Sequence, residues 1–537
     1  MLKSRLCIAF FAFAVGCAPA QKPLTDYVNP MLGTATLWDS VDLGFKPTKR
    51  TWGAEVFPGS SLPNAMVQVS PVTKFHSGAG YQYEDSVIYG FTHTNKGHWN
   101  LCHIPLLPVT GTPTPGDYCS PFSHERESAA PGYYQVFLDR YGVDAQLSST
   151  LRCAFHKYTY PAGAAPAVLA DLQRSNEHVR AWDIRKEGDN VFAGWQQTGE
   201  KMYFYAVANR PVTGIEPVVE GDREVRIVRF GEGDGALELR IGFSFVSEKN
   251  ARENLEAEML GKSFAEVRSE ATATWNDLLG RIRVEGGTER EKGLFYSSLY
   301  RSFLWPALRS DVNGEFTDVD GKVINPGFRY YTGPSYWDDY RNKLILLGML
   351  APDVAADVIS SDVDKGEKRG GFMPTFFHGD HASAFVAGTY LRGNRGFDVN
   401  RAYNLVLRNA TVQGPSRPWL DEYVAKGYIS EMDVENPVTW TVCKAAVTKT
   451  LEYSYDDYAV ALLADALGDK ENRDMLMKRT SNYKNLFDPS TGLMRGRLEN
   501  GEWITPFDDQ YPYYEYMYRE ANACCLLYTS PSPRDRG

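Results

Sequence analysis

Trp337 and Asp338 stand side by side in the run Ser335-Tyr336-Trp337-Asp338-Asp339-Tyr340-Arg341. A flat apolar ring beside a carboxylate suits a sugar, whose C–H face stacks on the ring while its hydroxyls donate to the oxygens. Arg341 can orient that carboxylate if the segment is helical. The same residues would equally make the salt-bridged start of an ordinary helix. Farther on, His378, Asp380 and His381 fall in one short run. Imidazole and carboxylate are zinc ligand types, but no further ligand segment is visible, so a loop lining a sugar pocket is the preferred reading. Asp456-Asp457 lies in a helical pattern between Tyr455 and Tyr458, where a solvated or capping role is expected. Glu520 follows a segment crowded with Tyr511, Tyr513, Tyr514, Tyr516 and Tyr518. It is either a surface glutamate beside an aromatic core or an acid that burial keeps protonated, able to donate a proton near neutral pH.

The chain that must position these groups has 537 residues, with 57 Lys+Arg against 67 Asp+Glu and a formal net charge of −10. A typical domain has about 100–200 residues, so at least two cores are expected. With 43% hydrophobic and 23% charged residues the chain is neither a disordered tail nor a membrane bundle. Its acidic balance and lack of a Lys/Arg-rich run argue against a nucleic-acid partner, which requires a basic face. The 13% aromatic content, with 32 Tyr and 11 Trp, fits sugar-binding grooves as well as an aromatic core. Lys3 and Arg5 precede an apolar stretch, and Ala18-Pro19-Ala20 offers a small-x-small cleavage site, so residues 1–20 read as a secretory signal. The mature protein is therefore expected to be secreted or periplasmic. Ala14-Val15-Gly16-Cys17 also resembles a bacterial lipoprotein box, which would make it an outer-membrane lipoprotein with a lipid anchor at Cys17. Cys102, Cys119, Cys153 and Cys443 match no zinc spacing and would form a bridge or two, or pack as small hydrophobes.

Residues 22–250 read as a β-sandwich domain. Its clearest pattern is Val225-Arg226-Ile227 and the alternating run 237–245, separated by Gly-Glu-Gly-Asp-Gly, which predicts a half-buried antiparallel hairpin. Further strands are expected near residues 65–69, 154–160, 191–195 and 202–207. The period then changes. Phe264, Val267, Ala271, Trp275, Leu278 and Ile282 recur at helical spacing behind a Ser263/Glu266 capping box, so residues 251–284 form a linker helix. Residues 285–523 carry further helices, at 291–304 and 442–467, and residues 524–537 look foreign to the rest.

Several blocks occur in order. They are Tyr27-Val28-Asn29-Pro30; Phe57-Pro58-Gly59; Met66-Val67-Gln68-Val69-Ser70-Pro71; Gly80-Tyr81-Gln82-Tyr83-Glu84-Asp85; and Ile88-Tyr89-Gly90-Phe91-Thr92-His93-Thr94. The Trp337-Asp338 run follows, then Gly396-Phe397-Asp398, residues 448–458 and Arg519-Glu520-Ala521-Asn522-Ala523. This ordered series resembles glycoside hydrolase family 92, the calcium-dependent inverting exo-α-mannosidases, from about Tyr27 to Ala523. The resemblance implies an α+β multidomain fold, an antiparallel β-sandwich followed by an (α/α)6 toroid, with the site between them. By the same match Glu520 would be the general acid and Asn522 would lie beside a Ca2+ ion. Trp337, Asp338, Arg341, His93, Gly59, Asp380 and His381 would bind substrate. Asn95 and residues 96–100 depart from the family's Gly-Phe-Ser-His-Thr-His block and the run after it, and Ala521 stands where the family has Gly.

In that family the catalytic base comes from helices beyond the Glu-Gly-Asn-Ala-Trp-Gln segment, whereas here Cys524-Cys525 follows Ala523. The expectation is a C-terminally truncated, inactive fragment with an incomplete (α/α)6 toroid. The whole protein would remove terminal α-mannose, α-1,2-linked, from mannan or high-mannose N-glycans with inversion, so its partners are mannose-containing glycans. A non-catalytic glycan-binding surface protein and another (α/α)6 enzyme, such as a glycoside phosphorylase, remain as alternatives.

Overall fold

The computed structural model describes residues 22–36, 56–96, 99–510 and 515–524. The signal segment, the Cys17 box, residues 97–98, Tyr511, Tyr513, Tyr514 and residues 525–537 lie outside the described residues.

Among the described residues, two large antiparallel sheets come first, of seven and eight strands. Alternation decides their faces: in Lys201–Ala208 the buried residues are Met202, Phe204, Ala206 and Ala208, while the residues between them are only partly buried. Side chains on a strand point to opposite faces in turn, so one face of this sheet enters the core. Strands Cys153–Thr159, Val191–Gln197 and Lys201–Ala208 coincide closely with the pieces that alternation predicts.

The predicted hairpin does not form. Strand Arg223–Phe230 lies in the seven-stranded sheet against Val212–Glu220 and Ala167–Ala170, and Leu237–Ser244 lies in the other sheet between Cys153–Thr159 and Lys201–Ala208. The Gly-rich turn carries the chain from one layer to the other. Alternation specifies which face is buried but not which strand is the neighbour, and both runs turn the same kind of face toward the shared core.

The connector begins with helix Glu248–Glu258, packed on the second sheet. Helix Phe264–Leu279 follows, and its Ser263/Glu266 capping box is complete. Trp275 is wholly buried, stacks near Tyr300 at 4.3 Å and donates its indole N–H to the Ser61 carbonyl at 2.8 Å, pinning this helix to the sandwich. The helical domain then runs from Glu289–Ser302 to Lys470–Arg479. The described cysteines form no disulfide with one another, and Cys102 and Cys153 are buried in the manner of small hydrophobes.

Candidate active site

Helix Ala446–Leu467 and the segment 515–524 build one wall of the site. The helix starts later than its apolar pattern suggests because Ala445 is left-handed, at φ 49°, and Val442 pairs with Glu515. The first N–H groups of a helix lack partners within it. Here Ala446 N–H donates to Glu431 Oε2 at 2.9 Å, and Val447 N–H to the Met517 carbonyl at 3.0 Å. Arg519 N–H in turn donates to Thr448 Oγ1 at 2.9 Å. Tyr516, Met517 and Tyr518 fill a small core with Val447, Leu486 and Ile504. Tyr516 and Tyr518 thus belong to that core, and the Glu520 side chain is 39% exposed.

Glu520 nevertheless joins the aromatic residues through a stack of contacts. Its Oε1 is 3.9 Å from Arg519, whose guanidinium lies 4.4 Å over the Phe377 ring, and Phe377 stacks on Trp337 at 5.7 Å. Arg519 also pairs with Glu515. Phe376 and Phe377 are exposed, Phe377 in a left-handed conformation, and Asp338 is exposed beside the half-buried Trp337. The result is an open ledge of rings edged by carboxylates, which offers a sugar both a stacking face and hydrogen-bond acceptors.

Beneath the ledge is a buried ionic layer. Trp337 N–H donates to Glu452 Oε1 at 2.7 Å. His381 is fully buried, stacked on Tyr340 at 3.8 Å and bonded through Nδ1 to Asp456 Oδ1 at 2.9 Å. Burial alone would lower the His381 pKa, but the Asp456 charge and hydrogen bond, with Glu452 behind them, hold it up at about 10, so the ring is an imidazolium. Arg417, also fully buried, binds Asp457 at 2.6 Å and Asp380 at 3.2 Å, and Arg479 binds Asp457 at 3.0 Å. Asp456 and Asp457 are therefore interior counter-ions and not solvated residues, and it is Tyr455 and Tyr458 that are exposed. Two basic residues, Lys449 and His378, neighbour this layer. Burial lowers Lys449 to about 8 against the pull of Glu431 and Glu452, and burial followed by Lys449 and Arg519 lowers His378 to about 3.

The expected substrate set divides. Trp337 and Asp338 are on the ledge and His381 is directly beneath it. Asp380 is fully buried, its oxygens taken by Asn409, Ser383 and Arg417, so it supports the loop and does not face a pocket. Arg341 is exposed and bonds Tyr340 Oη at 2.8 Å; it does not orient Asp338, because the helical turn Tyr336–Asp339 ends before it. Asp339, whose role the sequence leaves open, pairs with Lys343. His93 lies inside the sandwich, fully buried with Nε2 3.0 Å from His156 Nε2. Gly59 is also interior: a Cβ there would stand 2.1 Å from the Val69 carbonyl oxygen, so it permits close strand packing. Asn522 donates to the Gln510 carbonyl at 3.4 Å. Among the described residues no three His, Cys, Asp or Glu side chains come together as metal ligands. A calcium ion takes six to eight oxygens, and with no carboxylate cluster of that kind among the described residues no step is assigned to the ion.

The sequence reading missed Glu452, Phe377 and Arg417. Glu452 and Asp456 are one helical turn apart on the same face as the buried Lys449, and that spacing was the available signal.

Comparison with known proteins identifies the two domains. Residues 27–253 match the glycosyl hydrolase family 92 N-terminal domain and residues 250–535 the glycosyl hydrolase family 92 catalytic domain. A family 92 α-mannosidase of Bacteroides thetaiotaomicron is 27% identical with a TM-score of 0.83, over 94% of this chain and 70% of that one. It has also been solved in complex with mannoimidazole. A family 92 inverting mannosidase of the same organism is 25% identical with a TM-score of 0.81 over the same shares. An uncharacterized secreted glycosidase of Arthroderma benhamiae is 24% identical over 550 residues, 89% of this chain, and the chain spans 66% of the length of that relative. Sandwich, helical domain and both sequence matches lead to one conclusion: the chain belongs to glycosyl hydrolase family 92.

Proposed function

We propose that the whole protein is an exported exo-α-mannosidase that removes terminal α-mannose, α-1,2-linked, from mannan or high-mannose N-glycans with inversion. The observation that carries this reading is the contact stack from Trp337 through Phe377 and Arg519 to Glu520. A terminal mannose lays its C–H face on Trp337 and gives hydroxyls to Asp338, while Glu520 protonates the departing glycosidic oxygen. Inversion also requires a second carboxylate, roughly 6.5–9.5 Å from the acid, to activate water across the ring. The family resemblance puts that base C-terminal to the Glu520 segment. Export is supported by the leader in residues 1–20 and by the secreted relative.

The test is mannose release from an α-1,2-mannobioside by the whole protein and by its Glu520→Gln variant. Losing the proton donor should lower the rate about 10²–10⁴-fold with folding intact. A variant that keeps the parent rate would remove Glu520 from the mechanism. Binding of mannosides with no release by the parent would instead favour a non-catalytic glycan-binding role.

A further inference from the structure

A cavity of about 360 Å³ opens in the sandwich domain, lined by Thr73, Lys74, Phe75, His76, Tyr89 and Arg174. That volume is in the range of small-molecule sites, about 300–1,000 Å³. Among the described residues its wall includes no carboxylate and no part of the helical domain. Much of the wall is the loop that follows strand Gln68–Val72. The Thr73 and Lys74 N–H groups both donate to the Gly80 carbonyl, at 2.8 and 3.2 Å, and His76 N–H donates to Asn176 Oδ1 at 2.6 Å. Arg174 completes it, with its guanidinium 5.0 Å over the Phe75 ring and 5.3 Å over the Tyr89 ring and one nitrogen donating to Tyr118 Oη at 3.3 Å.

The positive charge of this wall is not neutralised within the fold. Asp171 stands 3.9 Å from Arg174 and is already taken by Arg223 and by the Tyr118 hydroxyl at 2.6 Å. The exposed Lys74 ammonium and the exposed His76 ring have no ion pair or hydrogen bond among the described residues. Asp85 is engaged by the Thr73 hydroxyl at 2.8 Å. In a chain of net charge −10 this is a local cationic concavity walled by two aromatic rings.

We propose that this cavity binds a sugar residue bearing an oxyanion, a carboxylate or a phosphate ester, and so holds an acidic glycan on the sandwich apart from the Trp337 ledge. Arg174 and Lys74 supply charge-assisted hydrogen bonds to the oxyanion, and the Phe75 and Tyr89 rings take the C–H face of the pyranose. Charge alone would attract any small anion. The rings add a preference for an anion carried on an apolar face, which a sugar presents and a bare phosphate does not. A sugar is the expected carrier because the chain belongs to a glycoside hydrolase family, and binding here is independent of Glu520 and of mannose release.

The test is calorimetric titration of the whole protein with methyl β-glucuronide, glucose 6-phosphate, the neutral methyl β-glucoside, and acetate and inorganic phosphate by themselves. Glucose-configured probes keep the ledge, assigned to mannose, out of the measurement. At least one acidic sugar should bind about tenfold more tightly than the neutral glucoside and than its own bare anion, and which of the two does so identifies the oxyanion as carboxylate or phosphate. Lys74→Ala and Arg174→Gln should each weaken that binding about tenfold, while Trp337→Ala should leave it unchanged. Lys74 is exposed, so its variant keeps the test decisive if Arg174→Gln does not fold. A folded Lys74→Ala that binds as the parent does overturns the site. So do equal binding of neutral and acidic sugars, bare anions that bind as well as the sugars, a loss of binding in Trp337→Ala, and a parent that binds neither acidic sugar.

Discussion

Three buried histidines of the sandwich and His381 of the helical domain are handled in opposite ways. In the sandwich, His93 and His156 face each other at 3.0 Å, and His103 bridges Thr94 and Thr198 at 2.8 Å on each side. Burial drives His93 to about 3 and His103 to about 4, and burial followed by the neighbouring His93 pushes His156 down as well, so these rings are neutral. In the helical domain His381 is equally enclosed, yet Asp456 and Glu452 keep it charged. A neutral ring with neutral partners serves as core filling. A charged ring needs counter-ions, and these lie beneath the aromatic ledge. The interior of the sandwich thus acts as scaffold, and the chemistry is concentrated where charge is buried.

The contrast is broken most forcefully at Asp456. Asp456→Asn leaves the enclosed His381 without its principal counter-ion and should destabilise the protein by about 3–5 kcal/mol in denaturant titration. His93→Leu, which removes a neutral partner from His156, should cost only about 1–3 kcal/mol. Equal losses would mean that the two environments do not differ as described.

A smaller but more specific effect is the pH dependence. The sandwich histidines have folded pKa values below the ordinary value of about 6.5, so between that pH and about 4 the unfolded chain binds protons that the fold refuses. Stability should fall as pH falls through that window. His381 has the opposite sign: its raised folded pKa stabilises fully below about 6.5, and that contribution is lost as pH rises toward about 10. Each limb is on the order of a few kcal/mol. His156→Phe should flatten the acid limb and His381→Gln the alkaline one, read from denaturation midpoints across pH. A variant that flattened the wrong limb would reverse the assignment of charge.

What could be read from the sequence divides along the same line. The Ser263/Glu266 box and the apolar stripe behind it are local, and the helix follows them. The partner of residues 225–227 is not local, and the apparent hairpin splits between two sheets. Asp456-Asp457 looks solvated because a helical pattern shows periodicity and not distant counter-ions; Arg417 reaches Asp457 from 40 positions away, and Glu452 meets Trp337 across 115. The ordered motifs contain Trp337, Asp338 and Glu520, which lie along the ledge, and also His93 and Gly59, which are buried in the sandwich. Residue type and spacing do not separate a group that touches ligand from one that supports the wall behind it.

Proton donation by Glu520 is most directly tested by comparing leaving groups. An alkyl mannoside departs as a strongly basic alkoxide and needs its oxygen protonated, whereas a dinitrophenyl mannoside departs unaided. In the whole protein, Glu520→Gln should lower kcat/KM for the alkyl substrate about 10²–10⁴-fold and leave the dinitrophenyl substrate nearly untouched. Equal losses on both substrates would contradict the assignment of Glu520 as the acid.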